Sequence, residues 1–344
     1  MGHCNRAAGA GGECFAGCVW VVGAFAGFVR ILGPAMHRKI LVIRGGAIGD
    51  FILTLPVLAA LRARFPQPPL EVLGYPHIAS LAQWGGLADA VRPIESRALA
   101  GFFVRGGRLE LELCEYFASF SLIVSYLYDP DGVFRDNVQS CTGAQFIAGP
   151  HRPDEQAGVH ATEVFLRPLE AVDIVGADGV PRLSRAAGGA VSVSPEQPLR
   201  MALHPGSGSE RKNWPARHWQ TLVKQLLEQT PWHLTLVGGE AEGERLDQLS
   251  ALAAGGRLTM LRNRPLTEVA GQLCGCHLFV GHDSGITHLA AALGVKSLVL
   301  WGPSVEAVWR PRGEHVHLVR HPQGLPGLPP TVVWEAVRRL MAGS

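Results

Sequence analysis

Charge of one sign is the first thing this chain lacks: 31 lysines and arginines stand against 29 aspartates and glutamates, leaving +2 with the histidines neutral. That balance argues against a nucleic-acid binder, which needs a broad basic surface, and leaves only local basic patches. Paired C-x-x-C spacings are also missing. The seven cysteines (Cys4, Cys14, Cys18, Cys114, Cys141, Cys274 and Cys276) are odd in number and define no zinc site. They read as reduced thiols, with Cys274 and Cys276 buried ahead of an apolar run. No D-x-D triplet has further acidic ligands beside it, so no divalent metal is expected. The G-x-G-x-x-G turn is absent, and Glu71 stands near the beginning of the second strand rather than at its far end. Both departures disfavour a dinucleotide dehydrogenase.

Long apolar runs are scarce too. The best candidate, Phe15 to Val29, is shorter than the roughly 20 residues a membrane-spanning helix needs, and alanine and glycine dilute it. A signal peptide fits no better, because the basic segment before it is thin. Residues 1–36 therefore read as a leader, non-native or disordered, with translation expected to begin at Met36.

What is present is a regular α/β grammar. With 344 residues, 47% of them hydrophobic, the chain can bury two ordinary cores. Ile40 to Ile43 is a fully apolar run suited to a parallel strand covered on both faces. Gly45, Gly46 and Gly49 make a turn behind it. Phe51, Ile52, Leu55, Leu58 and Leu61 then recur at helical spacing as far as Arg64, where Pro66 stops the helix. Further strands are expected at Leu70 to Gly74, Val91 to Ile94 and Leu122 to Tyr126, and a helix at Ala161 to Val172. Residues 176–199 are rich in Gly, Ala, Ser and Pro and read as a linker.

The pattern then repeats. Strands are expected at Met201 to Leu203, His233 to Val237, His277 to Val280 and Ser297 to Trp301, with helices at Ala216 to Glu228, Glu242 to Leu252 and Ser284 to Leu293. The expected fold class is α/β, with two Rossmann-like doubly wound domains, 37–175 and 200–344, facing across a cleft. The last helix is expected to pack back on the first domain.

The chemistry-bearing residues sit at strand ends. Asp50 follows the first glycine turn and has two readings: a carboxylate satisfying the orphan N–H groups of a helix start, or a general base at the cleft. In the second half, His204 to Ser209 forms a small-residue turn in which Ser207 and Ser209 let a phosphate approach, and Lys212 supplies positive charge. Gly281 to Leu289 joins a strand to a helix through Asp283, Ser284 and Gly285. The N–H groups of that helix start, with the Ser284 hydroxyl, form an anion seat, and His288 lies one turn onward on the same side. Asp283 reads as a cap, a loop-orienting group or an acceptor for sugar hydroxyls, and His288 as a structural or a ligand histidine.

Gly49 to Pro56 resembles the G-D-x-x-x-T-L-P word that opens glycosyltransferase family 9, the ADP-heptose:lipopolysaccharide heptosyltransferase family. Lys212 to Pro215 resembles its K-x-W-P word, Asp283 to His288 its D-[ST]-G-x-x-H word, and Leu300 to Ser304 closes the likeness. Together these words span Ile40 to about Arg310, in the family's order. Leu53 departs from the pattern, since some family members that add the first core heptose carry histidine there.

The resemblance implies two facing domains of the GT-B type and inverting, metal-independent glycosyl transfer, with Asp50 as catalytic base. The donor site would comprise Ser207, Ser209, Lys212, Glu240, Asp283, Ser284, Gly285 and His288, with Glu240 on the ribose. The first domain would bind the acceptor and the second the donor. The donor would be a nucleotide sugar, ADP-heptose, acting as substrate, so no cofactor is implied; the acceptor would be a lipopolysaccharide core or similar glycolipid. The place of action would be the cytoplasm. Phe102, Phe103, Arg105 and Arg108 are candidates for peripheral contact with the inner membrane, but with no long amphipathic period around them the preferred reading is an ordinary loop at a core edge. A sugar-nucleotide epimerase on the same scaffold, or a non-catalytic subunit of an envelope assembly, are the alternatives.

Overall fold

The computed structural model describes residues 39–185, 198–252 and 256–342. The expectation of a leader over residues 1–36 lies outside them. The first lobe runs β1 (Lys39–Arg44), α1 (Ile48–Ile52), α2 (Leu55–Arg64), β2 (Leu70–Gly74), α3 (Pro76–Trp84), β3 (Ala90–Pro93), α4 (Leu111–Ala118), β4 (Phe120–Ser125), α5 (Val133–Cys141), β5 (Gln145–Ala148) and α6 (Ala161–Leu166). The second runs β6 (Arg200–His204), α7 (Ala216–Gln229), β7 (His233–Gly238), α8 (Gly243–Ser250), β8 (Leu258–Arg262), α9 (Leu266–Leu273), β9 (Leu278–His282), α10 (Gly285–Ala292), β10 (Ser297–Leu300), α11 (Glu306–Trp309), β11 (Val316–Val319) and α12 (Pro330–Ala342).

Each lobe holds one sheet, in the orders β3-β2-β1-β4-β5 and β11-β10-β9-β6-β7-β8. All neighbouring strands within them run parallel. The strand order reverses beside β1 in the first sheet and beside β6 in the second, which fixes a crevice at the C-terminal ends of β1, β4, β6 and β9.

The apolar run of β1 explains its central place. Ile40 and Val42 face a cluster containing Ile52, Leu58 and Leu61, while Leu41 and Ile43 face Phe117, Phe134 and Val138 on the other side. Period-two alternation thus feeds both faces of one sheet.

Two local departures have physical causes. The single helix expected from Phe51 to Arg64 is broken at Leu53–Thr54 into α1 and α2. Pro56 has no N–H to return to the carbonyl of Ile52, and its ring crowds that turn. Thr54 Oγ1 instead donates to the Asp50 carbonyl at 2.8 Å. The final helix, α12, packs mainly on α7 within the second lobe, where the expectation placed it on the first. Its buried face, Val333, Ala336, Val337 and Met341, joins Trp219, Leu222, Val223 and Leu226 of α7 in one cluster. Both faces carry the spacing of an amphipathic helix, so the two stripes cover each other.

The lobes meet along α1 with α10 and α3 with α9. One apolar cluster crosses the seam, from Ile52 and Leu81 in the first lobe to Val269, Ile286 and Leu289 in the second. Polar contacts flank it. The Leu183 N–H donates to the Ala292 carbonyl at 2.7 Å, so this part of the expected linker is tied to α10. The Trp309 indole donates to Glu155 Oε1 at 3.0 Å, and Arg312 pairs with Glu163. His160 Nε2 lies 2.8 Å from the Arg310 carbonyl while Nδ1 accepts the Thr162 N–H at 3.3 Å, which assigns the Nε2–H tautomer. Among the described residues no helix is long and apolar enough to cross a membrane.

Candidate active site between the lobes

Two adjoining cavities, about 990 Å³ and about 580 Å³, open at the strand ends. The larger is lined by Asp50, Ser209, Lys212, Asp283 and His288, with Arg44 and Leu53 in its first-lobe wall. The smaller is lined by Ser207, His204, Gly239, Glu242, Asn263 and Tyr75. Gly46, Gly49, Ser284 and Gly285 border both. Residues expected from opposite halves of the sequence therefore share one crevice.

Asp50 occupies the third position of α1. Its Oδ2 accepts the Ala47 N–H at 3.0 Å, so the capping reading is met. The other oxygen, Oδ1, lies 3.7 Å from the Arg44 guanidinium, and the side chain keeps 30% exposure. Capping and access to the cavity thus coexist. Gly46 is required by its φ of +100°, and a Cβ there would meet Asp50 Oδ2 at 2.9 Å.

Across the crevice, Lys212 Nζ sits 2.6 Å from Asp283 Oδ2, and the same oxygen accepts the Ser304 hydroxyl. The lysine is thereby held at the larger cavity next to the start of α10. Ser284 caps that helix, its Oγ accepting the Thr287 N–H at 3.3 Å and lying 3.3 Å from His204 Nδ1. The first N–H groups of α10 have no carbonyl one turn back in the helix, which makes this end a seat for negative charge. Gly285 is pressed against the first lobe: a Cβ built on it would lie 2.6 Å from Ile48 Cβ and 3.0 Å from the Gly49 nitrogen. The N-termini of α1 and α10 thus face each other across the cleft.

Three buried histidines underpin this wall. Burial pushes His204 down to about 4 and His282 down to about 3, so both are neutral at pH 7. His288 is also lowered to about 4 by burial, although Asp283 pulls the other way. Its Nε2 lies 3.9 Å from Asp283 Oδ1, and with a neutral ring that contact is no ion pair. His282 Nε2 accepts the Trp214 N–H at 2.8 Å, leaving Nδ1–H to donate to the Gly206 carbonyl at 3.2 Å. This ring ties both ends of the Ser207–Lys212 turn to β9. Within the turn, the Ser207 hydroxyl lies 2.9 Å from both the Ser209 carbonyl and Asn213 Oδ1.

One expectation is corrected and one choice between readings is made. Glu240 is exposed at the start of a single 3-10 turn, Glu240–Glu242, and lines neither cavity. The turn swings Glu242 inward instead: it is 7% exposed, its Oε2 accepts the Gly239 N–H at 2.8 Å, and it lines the smaller cavity. Of the two readings of Phe102, the core edge agrees with the structure and membrane contact by this residue does not: it is buried against Phe117 at 5.0 Å between ring centres. Its neighbours Phe103 and Val104 are the exposed ones. The sequence reading also missed Arg44, His204 and Ser304. A charge closing the apolar run of β1 was the available signal for Arg44; Ser304 meets Asp283 only through the fold.

Two parallel α/β lobes whose switch points share a crevice form a glycosyltransferase architecture of the GT-B type. Solved structures share that fold. Escherichia coli ADP-heptose lipopolysaccharide heptosyltransferase II superposes with a TM-score of 0.69 at 20% identity, covering 89% of this chain and 99% of that one. E. coli heptosyltransferase WaaC with ADP gives 0.68 at 17% identity, covering 88% and 99%. In sequence, residues 184–327 match the family model of glycosyltransferase family 9 (heptosyltransferase). The chain is 26% identical over 295 residues to lipopolysaccharide heptosyltransferase 1 of Pseudomonas aeruginosa, covering 77% of this chain and 79% of that protein. Lipopolysaccharide heptosyltransferase 2 of E. coli is 28% identical over 134 residues, a match spanning 38% of each chain.

Proposed function

We propose that this protein is an inverting glycosyltransferase that moves a heptose or related sugar from an ADP-activated donor to a lipopolysaccharide core or similar glycolipid. One observation carries the reading: Asp50 from one lobe and Lys212, Ser284 and Gly285 from the other line a single cavity. The nucleoside occupies the smaller cavity, with Glu242 accepting the ribose hydroxyls, and the diphosphate lies toward Lys212 and the start of α10. The acceptor enters the larger cavity from the first lobe.

In the reaction the acceptor oxygen forms the new bond to the anomeric carbon while the bond to the diphosphate breaks, and Asp50 takes the hydroxyl proton. Negative charge grows on the leaving diphosphate. Lys212, the Ser207–Ser209 turn and the N–H groups of α10 are fixed before the reaction and meet that charge without reorganisation. In this reading the cationic lysine and the helix start do the work of a divalent metal. Asp283 keeps Lys212 at the cavity rim, and neutral His288 offers a hydrogen bond without adding charge.

The glycolipid acceptor points to action in the cytoplasm, at the inner face of the inner membrane. Phe103, Val104 and Leu111 are exposed at 46%, 56% and 73% on the first lobe, with Arg105 and Arg108 among them, and they supply the peripheral edge in place of Phe102.

The test is release of nucleoside diphosphate from ADP-, UDP- and GDP-sugars with extracted lipid acceptor. ADP-heptose should give acceptor-dependent release, and Asp50→Asn should lower it by about 100- to 10,000-fold, the range for loss of a general base. Full activity in Asp50→Asn would exclude the proposed base.

A further inference from the structure

Arg44 is an expensive residue for its place. It ends β1 with its side chain 2% exposed, and the guanidinium carbon lies 4.5 Å from the ring centre of Phe165 and 5.9 Å from that of Tyr126. Burying a cation in such a wall costs several kcal/mol unless it is fully partnered, and an apolar side chain of similar volume often serves the fold as well. The partnering here is incomplete. One terminal nitrogen donates to the His151 carbonyl at 2.9 Å, the other reaches the Asp50 carbonyl at 3.4 Å, and Nε has no partner among the described residues. Among the described residues, Asp50 is the sole carboxylate within ion-pair distance of it, at 3.7 Å. Burial lowers the proton affinity of the guanidinium and Asp50 restores part of it.

The direction of the contact matters more than its strength. Asp50 Oδ2 is tied to the Ala47 N–H, so the carboxylate can still swing about that one bond. Arg44 approaches the free oxygen from inside the wall while also touching the carbonyl of the same residue. One guanidinium nitrogen thus faces both the backbone carbonyl and the free carboxylate oxygen of Asp50, which favours the rotation that keeps that oxygen toward the wall.

We propose that Arg44 is a positioning residue for the catalytic base, holding the Asp50 carboxylate in the orientation that receives the acceptor proton. This rests on the reading of Asp50 given under the proposed function. The guanidinium fork lets one nitrogen stay on the His151 carbonyl while the other faces Asp50, which the single nitrogen of an ammonium on a flexible stem does not do.

The test compares Arg44→Met, which fills the wall without charge, with Arg44→Lys and Arg44→Ala. Arg44→Met and Arg44→Lys should each lose about 10- to 100-fold in kcat. ADP affinity by calorimetry should stay within about twofold in both, because Arg44 is not part of the smaller cavity. Millimolar guanidinium should restore part of kcat in Arg44→Ala, a rescue that also decides the matter if Arg44→Met folds poorly. In the Asp50→Asn background, Arg44→Met should change residual turnover by less than about twofold, since one residue acts through the other. A loss confined to KM or ADP affinity, no rescue by guanidinium, or fully multiplicative losses would each overturn the assignment. A crystal structure of Arg44→Met gives a readout independent of turnover: the Asp50 carboxylate should rotate, and an unmoved one refutes the hold. A wild-type protein inactive with every donor and acceptor would sink the transferase reading instead, and the crystallographic comparison would still judge Arg44.

Discussion

Replacing Gly285 by alanine adds one methyl group at the seam between α1 and α10. That carbon would stand 2.6 Å from Ile48 Cβ and 3.0 Å from both Ile48 Cγ2 and the Gly49 nitrogen, all backbone or near-backbone atoms with little freedom to yield. Ordinary contact between carbons is about 3.8 Å, so the helices must part by roughly 1.2 Å, the difference between that spacing and the 2.6 Å available. The α1 helix carries Asp50, and α10 carries His288 and the anion seat. A misplacement of about 1 Å between reacting groups costs on the order of 100-fold, so kcat/KM for sugar transfer should fall about 10- to 100-fold. Overpacking of this kind costs about 1–3 kcal/mol, so the melting temperature should fall by several degrees while the protein stays folded in the assay. Gly49→Ala is the control. Its methyl would meet His288 Cδ2 at 3.5 Å and Gly285 Cα at 3.7 Å, ordinary contacts, so activity should stay within about threefold. Wild-type kcat/KM in Gly285→Ala, or equal damage from both substitutions, would refute the argument that this seam sets the catalytic geometry.

The remaining predictions concern pH, the smaller cavity and metals. His204, His282 and His288 are held at about 4, 3 and 4, below the ordinary 6.5. Below pH 6.5 the unfolded chain takes up protons that the folded one refuses. Their contribution is therefore complete above that value and drains away as pH falls toward 4, by about 2 kcal/mol for each ring between pH 7.5 and pH 5. Urea unfolding at the two pH values measures this, and a flat stability profile would contradict the buried neutral rings. Glu242→Ala should weaken ADP binding by about tenfold or more while Glu240→Ala leaves it within about twofold, as expected for one buried acceptor and one solvated carboxylate; calorimetry showing the reverse order would restore Glu240. Dialysis against EDTA should leave turnover within about twofold if Lys212 and α10 carry the leaving-group charge as proposed, and loss restored by a divalent ion or iron would replace that mechanism.

The central strands were legible because both faces are covered: β1, β2, β4, β6, β7, β9 and β10 appear as short apolar runs in the sequence. The strands missed were β5, β8 and β11, and all three lie at sheet edges. There the burial is broken, as in Gln145–Ala148 and Leu258–Arg262, and no continuous run announces a strand. The site divides in the same way. Asp50, Lys212, Ser284 and His288 follow strands directly, so their place at the crevice follows from the α/β rule. Glu242 stands two residues beyond the glutamate chosen, and only the tightness of the intervening turn decides which carboxylate faces inward. Ser304 reaches Asp283 only through the fold, whereas Arg44 stands six residues before Asp50 and was overlooked because a charge at the end of an apolar strand does not by itself say that it turns inward.

The apolar seam that joins α3 to α9 and α1 to α10 also bears on how such a molecule can be remodelled. Either half expressed alone would carry a raw hydrophobic flank, with Val269, Ile286 and Leu289 on one side and Ile52 and Leu81 on the other turned toward water. Grafting a foreign first lobe onto this second lobe therefore calls for a matching joint, down to the absence of a side chain where Gly285 meets Ile48. Appetite for new acceptors is more easily altered in the loops around the cavity mouth than by exchanging whole halves.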